Sequence, residues 1–178
     1  MRKREIFSKS ARPGKRRRIW RYLLEGLLVI AIIIGINSWR THDAASGPAP
    51  LLSGMTLSGE NYSLPKQPGE PVLVYFWASW CPVCTLQDSN IARLAEEYPV
   101  ITVAMSSGTD EELREHLQQE GVIFRVINDE SGEISNRWGV KGVPTTFVID
   151  GDGEIRFVES GYTTTLGLRA RRWLAGVL

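Results

Sequence analysis

Cys81 and Cys84 are the only cysteines in the chain, and they form a Cys-x-x-Cys pair within Trp80-Cys81-Pro82-Val83-Cys84. The pair follows the apolar run Val72-Leu73-Val74-Tyr75-Phe76-Trp77, which places it where a buried strand passes into a helix. Two thiols at that spacing and in that context have the form of a redox-active dithiol. A purely structural disulfide is the plainer reading. It is weak, because closing so short a loop removes little entropy from the unfolded chain, and tight geometry leaves such a bridge labile. Half of a zinc site is a second plain reading, but zinc usually takes four Cys or His ligands, and only His42 and His116 are on offer. A Cu(I)-binding module using both sulfurs is the competing class. No Met or His lies within the motif to complete it, and Met105 is distant in sequence. No metal or cofactor is expected.

The elements that must hold this pair begin behind an unusual leader. Residues 1–21 carry ten Lys/Arg against Glu5 alone, whereas beyond Arg40 eighteen Asp/Glu outnumber ten Lys/Arg. A basic run such as Lys15-Arg16-Arg17-Arg18 can bind nucleic acid. The apolar stretch behind it argues otherwise, and no nucleic-acid partner is expected. Residues 22–39 are almost unbroken apolar sequence, about 27 Å long as a helix and close to the hydrocarbon thickness of a bilayer. Trp20, Tyr22 and Trp39 stand where interfacial aromatics belong, and Glu25 is shallow enough to reach the headgroups. The leader therefore reads as a basic cytoplasmic segment (1–21) and a single transmembrane anchor (22–39), with the rest exported. The first small residues after the apolar core, Ala44-Ala45-Ser46, come late for a signal-peptidase site, so the anchor is expected to stay uncleaved. The exported part then sits in an oxidising compartment.

Residues 40–54 read as a Pro-bearing, aperiodic linker and 55–178 as one domain. Within the domain, Met55–Leu64 is expected to form a short hairpin turning at Ser58-Gly59-Glu60-Asn61. Val72–Ala78 and Val100–Met105 read as buried central strands. Between them runs a helix with Cys84, Ile91, Ala95 and Tyr98 on one face and Leu94 beside them. Thr109-Asp110-Glu111-Glu112 is a capping box for a helix that Gly121 ends. Val122–Ile127 reads as a strand, and Ser131 as the cap of a short helix through Trp138. Thr145–Ile149 and Glu154–Val158 are strands joined by Asp150-Gly151-Asp152-Gly153. A last helix carries the apolar stripe Leu166, Ala170, Trp173, Leu174 and Val177, with Arg169, Arg171 and Arg172 as its solvated face. The order β-α-β-α-β-α-β-β-α predicts an α/β fold, a mixed central sheet flanked by helices, with the cysteines at the carboxyl end of a central strand.

Two stretches carry a resemblance. Phe76-Trp77-Ala78-Ser79-Trp80-Cys81-Pro82-Val83-Cys84 and Gly139-Val140-Lys141-Gly142-Val143-Pro144-Thr145-Thr146-Phe147-Val148-Ile149-Asp150, with the Asp150–Gly153 turn, resemble the thioredoxin superfamily. Over roughly residues 50–178 the chain looks like the membrane-anchored, TlpA-like disulfide oxidoreductases of bacterial periplasms, including the suppressor-of-copper-sensitivity D proteins. The resemblance implies a thioredoxin-like fold and protein disulfide oxidoreductase activity. It makes Cys81 the exposed attacking thiol, Cys84 the buried resolving thiol, and Pro144 a cis-proline beside them. Trp80, Pro82, Val143 and Pro144 would form an apolar docking surface, and the backbone of Val143 would pair with an extended substrate. It also implies an inner-membrane location, periplasmic thiol or disulfide proteins such as apo-cytochrome c as substrates, and a membrane-embedded thiol reductant.

The chain departs from the pattern it resembles at two positions. Tyr75 stands where thioredoxins bury an acid, and Gln87 where TlpA-like reductases commonly place a glutamate. Asp88, four residues after Cys84, is a candidate substitute, although a solvated helix residue is the preferred reading. Pro82 suits the first turn of a helix, leaving Cys81 at its N-terminus, where the dipole and free N–H groups stabilise a thiolate. Val83 adds neither charge nor hydrogen bond, so the Cys81 pKa is expected nearer the thioredoxin value of about 7 than the strongly oxidising value of about 3.5. A reducing potential, on the order of −200 mV or below, is the consequence. That favours a reductase over a thiol oxidant of the same fold.

Overall fold

The structure is a computed structural model that describes residues 15–40 and 42–177. The chain forms two compact units, residues 1–38 and 39–178. The first is built on α1 (Lys15–Arg40), along which Leu23, Leu24, Leu27, Leu28, Val29 and Ile32 are each more than half exposed. Among the described residues, no helix is long and apolar enough to cross a membrane. The side chains at 30, 33, 34 and 36–40, four of them isoleucines of the expected span, lie outside the described set, as do residues 1–14 of the basic segment.

In chain order the second unit holds β1 (Gly47–Pro48), β2 (Ser53–Met55), β3 (Asn61–Ser63), β4 (Val72–Trp77), α2 (Pro82–Ala95), β5 (Val100–Met105), α3 (Asp110–Glu120), β6 (Val126–Asp129), α4 (Glu133–Arg137), β7 (Thr145–Ile149), β8 (Glu154–Ser160) and α5 (Thr165–Ala175). From β4 onward this is the expected order. The six-stranded sheet runs β1-β8-β7-β4-β5-β6, and β2 and β3 form a separate hairpin. β4 lies near its centre, parallel to β5 and antiparallel to β7, with every residue buried. Its side chains alternate between faces. Leu73, Tyr75 and Trp77 join the core beneath α2, α3 and α5, while Val74 and Phe76 pack with Leu52, Trp138 and Phe147 on the opposite face.

Local rules account for several boundaries. The capping box forms as expected, Thr109 accepting from the Glu112 N–H and Glu112 accepting from the Thr109 N–H. At the β7–β8 turn, Asp150 Oδ1 accepts from the N–H groups of Asp152 and Glu154, and Arg156 closes on its other oxygen. Burial would raise the Asp150 carboxyl, yet these donors hold it below the usual carboxylate range.

Four expectations change. The proposed linker 40–54 is largely tied to the domain. Ala45 N–H donates to Trp138 O, β1 pairs with β8, Leu52 is fully buried, and the Asp43 carbonyl occupies the space a Cβ on Gly139 would need. The strand expected at Val122–Ile127 begins only at Val126, leaving Ile123 exposed, because β6 takes its register from Thr102–Met105 of β5. The short helix is capped by Asp129 as well as Ser131: Ser131 Oγ accepts from the Glu133 N–H, while the Asp129 carboxylate accepts from the N–H groups of Ile134 and Ser135 and from the Ser135 hydroxyl. Finally, α5 is turned over. Leu166, Ala170, Trp173, Leu174 and Val177 are exposed, and the inward face is Leu168, Arg171, Arg172 and Ala175. Arg169 is solvated as expected, paired with Glu97 at the surface, but Arg171 and Arg172 turn inward to Glu159 and Glu70, and Arg172 also lies 4.1 Å over the Tyr98 ring. Long apolar stems let arginine line a core edge while its charged head finds a partner.

Candidate active site

β4 ends at Trp77 and α2 begins at Pro82, so the cysteines open a helix at the carboxyl end of a central strand. Cys81 is the N-cap and Pro82 the first helical residue, where a missing N–H is harmless. The Cys84 N–H points at Cys81 Sγ (3.2 Å), one of the free donors that a helix start offers to a sulfur. Cys81 and Cys84 form a disulfide with Cα atoms 5.3 Å apart.

The two sulfurs differ in access, though less than expected. Cys84 is fully buried and Cys81 retains 6% exposure, so Cys81 is the accessible one without being an exposed thiol. Its surroundings explain this. Cys81 Sγ lies 3.6 Å from the Val143 carbonyl oxygen, and the Val143–Pro144 peptide bond is cis. Trp80 stands out from the surface at 59% exposure, its indole N–H held by the carbonyl of Ser106 (3.0 Å), a residue with φ 45°. Ser107 accepts from the Ser79 N–H and ties the same loops together. Thus Trp80, Pro82 and Val143 surround the sulfur and Pro144 is buried beside it.

Next to this mouth lies a groove of about 850 Å³ lined by Val83, Val143 and Pro144 together with His42, Asp43, Lys141 and Tyr162. The last four were missed in the sequence. His42 and Asp43 fall in the segment read as linker, and Tyr162 belongs to a loop whose position depends on α2. Asn90 donates to the Tyr162 hydroxyl and accepts from Thr165, while Gln87 Oε1 accepts from the Thr163 N–H.

Beneath the mouth the chemistry changes. Tyr75, Gln87 and Asp88 are all buried, so the reading of Asp88 as a solvated residue is overturned. The Tyr75 hydroxyl donates to Asp88 Oδ1 at 2.9 Å. Burial pushes the Asp88 carboxyl up to about 6, with the Tyr75 hydrogen bond pulling it down and the charge of Glu120 pushing it further up. Burial and the neighbouring carboxylate also raise Tyr75, which stays protonated. Among the described residues, no cluster of three or more His, Cys, Asp or Glu could hold a metal ion.

Comparison with known proteins agrees with this geometry. The model of the family described as Redoxin matches residues 43–170. A thioredoxin-like protein of Haemophilus influenzae is 34% identical over 121 residues, covering 67% of this chain and 72% of that protein. The thiol:disulfide interchange protein DsbE of Allochromatium vinosum is 34% identical over 118 residues, covering 64% and 65%. Among solved structures, a thiol:disulfide interchange protein of the thioredoxin family from Chlorobium tepidum superposes with TM-score 0.63 at 25% identity, covering 75% of this chain and 98% of that one. With its cysteine pair at the head of α2 and beside a cis-proline, the chain belongs to the redoxin family as a thioredoxin-superfamily protein disulfide oxidoreductase of the DsbE and TlpA-like type.

Proposed function

We propose that the protein is a membrane-tethered reductase of disulfides in exported proteins, anchored in a bacterial inner membrane with its N-terminus cytoplasmic and its catalytic domain periplasmic. The observation that carries the catalytic part is the Cys81–Cys84 disulfide at the start of α2, with Cys81 the more accessible of the two and Cys84 sealed. Cys81 attacks the substrate disulfide as a thiolate, a mixed disulfide forms, and Cys84 displaces the released thiol. Trp80, Pro82, Val143 and Pro144 make the docking surface, and the adjoining groove admits an extended segment of the substrate.

The tether is supported by the basic residues ahead of an almost unbroken apolar stretch and by the exposed apolar side chains of α1. The reducing direction is supported by the motif itself. Val83 stands where a cationic residue would stabilise the Cys81 thiolate, so the reduced form gains little beyond the helix dipole. A membrane-embedded thiol reductant would then return Cys81–Cys84 to the dithiol. Thiol trapping in intact cells tests the direction: a mostly reduced pair at steady state is expected, and a mostly oxidised pair makes the protein an oxidant. Cys84→Ser should accumulate substrates as thiol-sensitive adducts on Cys81, and adducts formed instead by Cys81→Ser reverse the roles.

A further inference from the structure

The last helix turns its apolar stripe to solvent. Leu166, Ala170, Trp173 and Leu174 are exposed on α5, Leu166 at 78% and Trp173 at 67%, and Val177 continues the stripe past the helix end. Among the exposed residues of α5 the only charged one is Arg169, and Glu97 takes its charge. From Leu166 to Leu174 the stripe runs about 12 Å, the length of about four residues of extended chain. An apolar helix face without a partner in its own fold marks a surface that meets something else.

Its position says what. Any protein disulfide on which the enzyme acts must reach Cys81, so the surface around that sulfur is an interface by virtue of the reaction. The stripe continues that surface. Val83, on the rim of the mouth, is followed one turn along α2 by Leu86, which is also exposed. Asn90, one turn further, donates to the Tyr162 hydroxyl and accepts from the Thr165 hydroxyl, which fixes Tyr162 and the first turn of α5 beside α2. Leu166 stands next in the chain. The way from Cys81 to Leu166 thus runs over Val83, Leu86 and Tyr162, side chains without charge.

The charges select the occupant. An apolar helix face that binds anionic lipid is flanked by free cations. Here Arg169 is paired with Glu97, and Arg171 and Arg172 turn inward to Glu159 and Glu70, so the arginines of α5 are committed to carboxylates. A folded protein keeps its large apolar residues inside, whereas an unfolded chain exposes them. We propose that the outer face of α5 is a docking surface for unfolded polypeptide, holding an apolar segment of the client while Cys81 attacks the client's disulfide. The clients are then exported chains that have not yet folded, and recognition is by hydropathy rather than by sequence. This deepens the reading of the protein as a reductase of exported proteins and rests on it. The face governs capture of the client and leaves the exchange at sulfur untouched.

The test uses the reduced full-length protein in phosphatidylcholine nanodiscs, free of detergent that would cover the face. The substrates are oxidised glutathione and two unstructured synthetic peptides, each carrying one cysteine as a mixed disulfide with thionitrobenzoate. A Leu- and Phe-rich block flanks the cysteine in one peptide, and a Ser- and Gly-rich block replaces it in the other. At single turnover, Leu166→Lys combined with Trp173→Lys should lower the second-order rate with the apolar peptide about three- to tenfold. Rates with the polar peptide and with glutathione should stay at wild-type values. Leu166→Ser combined with Trp173→Ser should lower the first rate in the same direction, since lost apolar surface and not added charge is the cause.

Wild-type rates on the apolar peptide in both double substitutions overturn the proposal. So does an equal loss on glutathione, which would make the change one of fold and not of docking. Discs that pair through wild-type domains in sedimentation velocity, and separate on the Lys substitutions, give the face to a second copy. Quenching of Trp173 by brominated lipid, taken as the difference between wild type and Trp173→Phe, gives it to the bilayer. Either result overturns the proposal. A wild type inert towards glutathione overturns the oxidoreductase reading beneath it, a failure distinct from that of the face.

Discussion

The mouth and the floor of the dithiol are built from different materials. Around Cys81 stand Trp80, Pro82, Val83 and Val143, side chains without charge, most of them open to solvent. Around Cys84, where a dry apolar core is the rule, the helix turns Gln87 and Asp88 inward against Tyr75. The contrast separates two tasks. The mouth offers an uncharged surface on which the proposed docking would rest on shape and backbone, and its lack of charge leaves a Cys81 thiolate to the helix dipole. The floor holds a buried carboxyl and a buried amide beneath a sealed sulfur, each with one polar atom left without a hydrogen-bond partner.

Breaking the mouth outright is the largest effect to expect. Cys81→Ser should abolish turnover in insulin reduction, since a hydroxyl at a helix N-terminus does not replace a thiolate, and the variant should retain its fold. The floor comes next, read through stability. Asp88 titrates at about 6 in the fold against an ordinary 3.8, so the folded state binds a proton that the unfolded chain has already lost between those values. Stability therefore falls as pH rises through that window, by about 3 kcal/mol at most, and is level above it. Denaturant unfolding of the oxidised protein at pH 4 and pH 7 should show this loss. Asp88→Asn should remove it, and an unchanged slope would place the titrating group elsewhere.

A smaller effect sharpens the electrostatic side of the contrast. Val83→His adds a cation to the mouth and should raise the reduction potential by about 30 mV or more, equivalent to about 1.4 kcal/mol, with the gain lost above the imidazole pKa. A glutathione redox titration at two pH values reads it, and no oxidising shift would mean that charge at this position does not reach Cys81. The smallest effect belongs to recognition alone. Trp80→Ala should raise KM for a protein disulfide roughly three- to tenfold. Its stability should stay within about 0.5 kcal/mol of the wild type, because the ring is largely exposed.

The elements that carry the cysteine pair were legible in the sequence, whereas the floor's residues were named there without their burial. A six-residue apolar run, a proline at the helix start, a Thr-x-x-Glu box and an Asp-Gly-Asp-Gly turn each carry their own local physics, and β4, α2, α3 and the β7–β8 hairpin form where those signals stand. Asp88 looked solvated because its burial depends on Tyr75, thirteen residues away in another element. Gln87 likewise needs an N–H from the far side of β8. In α5 the apolar stripe pointed outward because Arg171 and Arg172, each with a glutamate from a remote segment, took the inner face. Periodicity ranks residues by hydropathy, and it cannot see a partner that only the fold delivers. The groove's His42 and Asp43 were hidden for the same reason, by a segment whose register is set through Trp138 and Gly139.

The rim of the sheet has a consequence for a chain that must fold near many unfolded neighbours. β8 runs seven residues, yet β1 covers it over only two, and one of those is Pro48, which brings no N–H to a ladder. An uncovered strand edge invites another chain to add itself. Along β8, however, Glu154, Arg156 and Glu159 interrupt the apolar residues, with Arg156 drawn to Asp150 and Glu159 to Arg171. A passing strand would have to displace those ion pairs and bury charge before gaining its first backbone bonds. The rim thus sets charge against edge-to-edge pairing, a gatekeeper against aggregation on the one edge of the sheet that β1 leaves mostly uncovered.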